Sequence, residues 1–251
     1  MLKFFRRVRQ KFLAENKVTR YLLYAFGEIL LVVIGIMLAL QVNNWNTERV
    51  KLIEEKNTYI KVIKDLESDS TRIAYAIRNF KIHQDIHFQV YDETQLLAGF
   101  DSTLNYGRLY WKSTFIPRMG NNYGEIIPEF SNEEIRELLN NYILFEKRVL
   151  DAFKDWDDMK VNTLIPYFAN HGILNTKLTF QDAPRYEMYT AGRSEKILIQ
   201  YDKLKERYGS VELDQNLFDL RWKTSWIIVN LERLGQRNER LKKVLNNELN
   251  R

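Results

Sequence analysis

Three groups of side chains in this 251-residue chain have types and spacings that could do chemistry. His83-Gln-Asp-Ile-His87 sets two imidazoles four residues apart, one helical turn, which is the spacing of a zinc ligand pair. A zincin needs Glu as general base where this chain has Gln84, so the motif lacks the group that would carry its chemistry. Asp85 points off the pair's face and His171 is the one further histidine, so the pair is expected to be surface histidines without a metal. Asp155, Asp157 and Asp158 gather three carboxylates, but lack the central glycine and distal glutamate of an EF-hand loop. They are expected to be a solvated helix end. Trp222 and Trp226, four apart, could stack a ligand, but aromatics at helical spacing read first as core or interface.

Other chemistries are excluded more simply. The chain has no cysteine, so thiol nucleophiles, thiolate metal sites and disulfides are out. It holds no Gly-rich phosphate loop and no G-x-S-x-G elbow. No catalytic residue, cofactor or metal ligand is therefore assigned, and the expectation is a protein that is not an enzyme. The competing class is a metal-assisted hydrolase using His83 and His87.

The elements that must position these groups start from an apolar run, Tyr21 to Val42, followed by a polar remainder. About 20 apolar residues at 1.5 Å rise cross a bilayer's hydrocarbon core. Residues 1–20 form a basic arm in which seven Lys and Arg, among them Arg6, Arg7, Arg9 and Lys11, oppose Glu15 alone. Beyond the arm and Glu28 the chain is formally neutral, with 31 basic and 31 acidic residues. All the net charge of +5 thus belongs to the arm, which removes the nucleic-acid partner that a basic chain would suggest. Only three basic residues fall between 43 and 60, so the positive-inside rule puts the arm in the cytoplasm. The run is long and has no small-x-small cleavage site, which makes it a signal anchor rather than a cleaved leader. Tyr21 and Tyr24 at one end and Trp45 at the other fit the interfacial aromatic belts, and the arm would lie on anionic lipid.

Glu28 is the one charge in the span. It shares a helical face with Gly35 and Ala39, a small-xxx-small pair. The face reads either as an association surface with Glu28 as polar glue, or as a near-interface carboxylate beside incidental small residues.

The domain of residues 43–251 reads as all-α. Tyr59, Ile63, Leu66, Ser70, Ile73, Ile77 and Phe80 step by four and three, an amphipathic or coiled-coil stripe. The spacing predicts a long helix ending near residue 81, then a second from about His83 to Leu97 with Gly99 as its C′ residue. Residues 100–130, aromatic and glycine-rich, predict an ordered loop where an exposed recognition surface could lie. Ser131 and Glu134 predict a capping box before a helix with Ile135, Leu139, Tyr142, Val149 and Trp156 on its apolar face. Residues 160–192 are mixed, and Ser194 predicts a short helix ended by Gly209. From Asp214 a last stripe runs through Leu217, Leu220, Thr224, Ile227, Leu231, Leu234, Asn238, Leu241, Leu245 and Glu248. First and last helices are expected to pair antiparallel in one bundle.

The opening, with Leu23-Tyr-Ala-Phe-Gly-Glu-Ile29 entering the span and Ala39-Leu-Gln-Val-Asn-Asn-Trp-Asn46 leaving it, resembles a family of single-span membrane proteins of Bacteroidota. The match is specific over about the first fifty residues. Where family members carry a tyrosine-leucine-Ser-Gly segment, this chain has Tyr123-Gly-Glu-Ile-Ile127. No activity is assigned to that family, so the resemblance implies location and topology only. The combined expectation is a single-pass inner-membrane protein with a periplasmic helical domain, used for interaction, scaffolding or sensing. Its partners would be the lipid bilayer and either a second copy or another membrane or periplasmic protein. Assembly of an envelope complex is a further alternative. The arm leaves no room for an output domain, so a sensor would signal through a partner.

Overall fold

Helix α1 runs from Val18 to Thr94 without interruption. In the computed structural model, residues 18–177 and 198–250 are described, with side chains from residue 22. Among them the chain is all-α and has no strand, apart from an isolated antiparallel bridge between Leu174 and Ile199. The two-helix reading of residues 43–97 is thereby corrected. No glycine or proline stands between Gly35 and Gly99, and the apolar period continues past residue 81 to Ile86 and Val90, which are buried.

The chain divides into two compact units, residues 1–58 and 59–251. In the first unit α1 is apolar and long enough to cross a membrane, and from Glu28 to Glu54 every residue is exposed. A Cβ added at Gly35 would meet nothing within 4 Å. By length and composition, the apolar part of this stretch could cross a bilayer.

In the second unit, α1 from Tyr59 onward packs with α3 (Glu133–Met159) and α6 (Val211–Leu249). Side-chain bonds show that α1 and α6 are antiparallel, since Ser70 meets Glu239, Gln84 meets Ser225 and Thr94 meets Asp214. Both expected stripes face inward. Tyr59, Leu66, Ile73 and Phe80 join Ile135, Leu139, Trp156, Ile227 and Leu241 in one apolar cluster. The Tyr59–Phe80 stripe is therefore consumed inside the domain and is not available for a coiled coil with another chain. A second cluster holds Ile86, Val90, Met159, Leu164, Leu217 and Leu220.

The connections are short helical turns. A 3₁₀ turn, Tyr106–Leu109, precedes α2 (Met119–Tyr123) and a second 3₁₀ turn, Ile127–Glu129. Residues 100–130 are indeed an ordered loop, but Tyr106, Leu109, Met119, Tyr123, Ile127 and Phe130 are buried, so its aromatics serve the core. Asn132, not Ser131, caps α3, its side chain accepting from the Ile135 N–H. Ser210 caps α6 in the same way through Leu213, three residues before the expected start. A π-helix, Lys160–Leu164, continues α3 and leads to α4 (Ile165–Asn170). Helix α5 spans Tyr201–Lys205, and Gly209, at φ +75, turns the chain into α6. The Ser194 cap and the mixed residues 178–192 lie outside the described residues.

Helix α1 ends differently from expectation. Leu97 N–H donates to Asp92 O at 2.8 Å and Leu96 N–H to Glu93 O at 3.2 Å, a Schellman closure with Leu96 at C′. Leu96 has φ 58, a conformation that favours glycine, and Gly99 lies beyond the closure. Its side chain is almost fully exposed and gains no packing in return. Leu96→Gly is therefore expected to stabilise the domain by about 0.5–1 kcal/mol, read by denaturant unfolding of the intact protein in detergent. A neutral or destabilising result would contradict the strain.

Candidate functional site

Buried polar side chains set the register of the helices before any binding surface is considered. Asn238 of α6 is fully buried; its Nδ2 donates to Leu66 O at 2.9 Å and to Tyr142 Oη at 3.3 Å. Ser70, the polar interruption of the first stripe, meets Asn238 Oδ1 at 3.4 Å. Thr224, the polar interruption about four turns away on α6, accepts from Trp156 Nε1 at 3.1 Å. Glu146 is buried and accepts the backbone N–H groups of Arg118, Met119 and Gly120 at 2.8, 3.2 and 2.9 Å, which ties α2 to α3. Burial nevertheless holds its carboxyl above the usual range.

Glu93, near the end of α1, has both carboxylate oxygens filled. Oε1 accepts from Tyr106 Oη and from Gln89 Nε2 at 2.8 Å. Oε2 accepts from Tyr201 Oη at 2.8 Å and from Tyr208 Oη at 2.6 Å. Burial opposes ionisation, but the four donors outweigh it and hold Glu93 below the usual carboxylate range. Burial first, and the hydrogen bond to Glu93 second, push the three phenols up, Tyr201 to about 12. A carboxylate so completely satisfied is a clamp on residues 93–208 and has no lone pair left for a substrate.

The histidine pair sits elsewhere than the sequence suggested. His83 and His87 are buried, between the two apolar clusters, and are not surface residues. The reason is register: α1 continues through them on the core face that Phe80, Ile86 and Val90 define. His83 stacks on Trp111 at 4.8 Å, and the two imidazole centroids are 6.4 Å apart. Lys160, fully buried at the start of the π-helix, lies over Trp156 at 4.1 Å and donates to Trp111 O. His83 Nε2, both ring nitrogens of His87, and Asp157 Oδ1 are buried without a hydrogen-bond partner. Burial lowers His83 to about 2 and His87 to about 3, with the Lys160 charge as the next cause. Burial also lowers Lys160 to about 7, with Asp157 opposing and Lys112 reinforcing. Among the described residues no group of three His, Asp or Glu side chains is placed to hold a metal ion. Two imidazoles beside an ammonium are a poor donor set for a divalent cation.

The tryptophan pair is not core. Phe218, Trp222, Trp226 and Val229 of α6 are 61%, 68%, 51% and 36% exposed. They step by four, four and three, an apolar stripe on the outer side of the turns whose inner side buries Leu217, Leu220, Thr224 and Ile227. Phe218 and Trp222 stack at 6.4 Å, and Arg221 lies over Phe88 of α1 at 4.5 Å. Asp155 pairs with Lys223 at 2.6 Å and Asp157 faces Lys160, so the three aspartates do not converge on one point as a cation site would require.

In the span, Glu28, Gly35 and Ala39 are exposed, as are Tyr24 and Trp45. Arg6, Arg7, Arg9, Lys11 and the Tyr21 side chain lie outside the described residues. Sequence reasoning missed Lys160, Glu93 and Glu146. Lys160 follows two aspartates and reads as a solvated helix end, and each tyrosine that meets Glu93 is remote from it in sequence. No protein-family model, no curated protein and no solved structure matches the chain.

The buried titrating groups predict how stability depends on pH. Lys160 is lowered from 10.5 to about 7, so the unfolded chain binds the extra proton between those values and stability rises with pH across that window. Below the ordinary histidine value of 6.5, His83 and His87 resist protonation when folded, so stability falls as pH drops. Lys160→Met should abolish the alkaline rise and stabilise the protein at pH 7 by on the order of 1–3 kcal/mol, net of the bond lost to Trp111 O. Denaturant unfolding across a pH series checks this, and an unchanged slope in Lys160→Met would refute it.

Proposed function

We propose that this chain is a single-pass inner-membrane protein, arm in the cytoplasm and helical domain in the periplasm, that acts by non-enzymatic self-association. The resemblance of its first fifty residues to the Bacteroidota single-span family supports that location, as does the charge asymmetry about the span. The observation that carries the interaction reading is the outward stripe of Phe218, Trp222, Trp226 and Val229. Monomeric soluble surfaces rarely align several large aromatics, and tryptophan is the residue most enriched at energetic centres of interfaces.

The occupant we assign to this stripe is a second copy of the chain. A single-helix stripe is self-complementary about a two-fold axis, and copies held in one bilayer meet at high effective concentration. The span supports the same partner by separate evidence, since Gly35 and Ala39 are open and Glu28 shares their face. Two apolar features, one in each unit, thus lack a partner within the chain, and self-association gives both one.

The absence of cysteine makes the test clean, because Val229→Cys introduces the only thiol. With a short bismaleimide in membranes, Val229→Cys should crosslink to a dimer, whereas Glu137→Cys on exposed α3 should not. The pair Trp222→Ala and Trp226→Ala should cut the dimer yield at least fivefold. Equal crosslinking from both positions, or a Val229 product with some other protein only, would overturn the assignment.

A further inference from the structure

Helices α3 and α6 also place two arginines over one aromatic ring, with a third, Arg233, one turn from Arg237 on α6. The Arg237 guanidinium lies over Phe145 at 3.5 Å from Cζ to the ring centroid, and Arg148 lies over the same ring at 5.1 Å. Phe145 is buried, so the ring is a fixed platform. Arg237 is held a second time, because its Nη1 donates to Arg233 O at 3.0 Å. The Arg148 and Arg233 charges both act on Arg237, and together with burial they lower its affinity for its own proton.

Cations so placed call for an anion. Among the described residues no carboxylate pairs with Arg148, Arg233 or Arg237. The nearest acids along α6 are engaged elsewhere: Glu232 meets Lys81 at 3.6 Å, and Glu239 meets Lys242 at 2.6 Å and Ser70 at 3.0 Å. Asp151, one turn beyond Arg148 on α3, makes no ion pair with the three. Leaving like charges together costs stability unless a ligand offsets it. A planar guanidinium fixed by stacking and by one hydrogen bond keeps its other N–H edge for bidentate contact, the geometry that suits phosphate oxygens.

We infer that Arg148, Arg233 and Arg237 form a binding site for a phosphate group, presented either as a free oxyanion or as the phosphodiester of an anionic headgroup. Arg237 makes the bidentate contact, Arg148 and Arg233 supply charge, and Phe145 keeps the plane in place. The site is independent of the aromatic stripe on α6.

The test titrates the intact protein, in neutral detergent, with pyrophosphate and separately with soluble short-chain phosphatidylglycerol, following heat and the ³¹P resonance. Saturable binding of either probe, weakened at least tenfold in Arg237→Gln and several-fold in Arg237→Lys, is the expected result. Binding of phosphatidylglycerol alone identifies a lipid headgroup as the source, and binding of pyrophosphate identifies a free oxyanion. Arg148→Gln, further from the ring plane, gives a second variant should Arg237→Gln fail to fold, with the same loss expected. No saturable binding of either probe, or equal binding by folded wild type and variants, overturns the site.

Discussion

The structure depends on the fixed register of α1, α3 and α6, and buried polar pairs set it. Apolar stripes alone tolerate a slide of one turn, because leucines and isoleucines replace one another with modest cost. Asn238 does not tolerate it. Moved by a turn, its amide would leave Leu66 O and Tyr142 Oη and remain buried without partners, a loss of about 1–3 kcal/mol for each group stranded. The Trp156–Thr224 bond repeats the constraint about four turns along, and Glu93 with its three tyrosines closes the far end. Once the register is fixed, which residues of α6 look outward is fixed as well.

That consequence links packing to the functional reading. The inner side of α6 is spent on the core by Leu217, Leu220, Thr224, Ile227 and Leu231, so Phe218, Trp222 and Trp226 have no place inside. These exposed aromatics are the surface on which the proposed self-association rests. In the interior, Glu93 and Glu146 spend their oxygens on protein donors, and His83, His87 and Lys160 are buried. Burial of these titrating groups is expected to show in pH-dependent stability.

Much of this was legible in the residues. Strict three-and-four spacing marked both stripes, and their polar members, Ser70, Thr224, Asn238 and Glu248, are all hydrogen-bonded across helices. The long apolar N-terminal helix was legible because length and hydropathy act locally. What failed was local in signal but decided by distant partners. The break near residue 81 was inferred where the stripe weakens, yet His83 and His87 are compatible with the core because Trp111 and Trp156, far away in sequence, wall them in. Asn132 outcompeted Ser131 as a cap by a one-residue shift that either side chain could have served. Leu96 in a glycine's conformation carries no sequence mark at all. The two arginines over Phe145 belong to different helices, and only the antiparallel register of α3 and α6 brings them to one ring.

The central claim is that two copies of the chain associate through outward apolar faces. The mass of the intact protein in a mild detergent, measured by light scattering with the detergent contribution subtracted, tests it most directly. The account predicts twice the chain mass of 30.1 kDa for the wild type, and one chain mass when Trp222→Ser and Trp226→Ser are combined with Gly35→Leu. A wild type of one chain mass across the concentrations at which membrane proteins crowd a bilayer would contradict it.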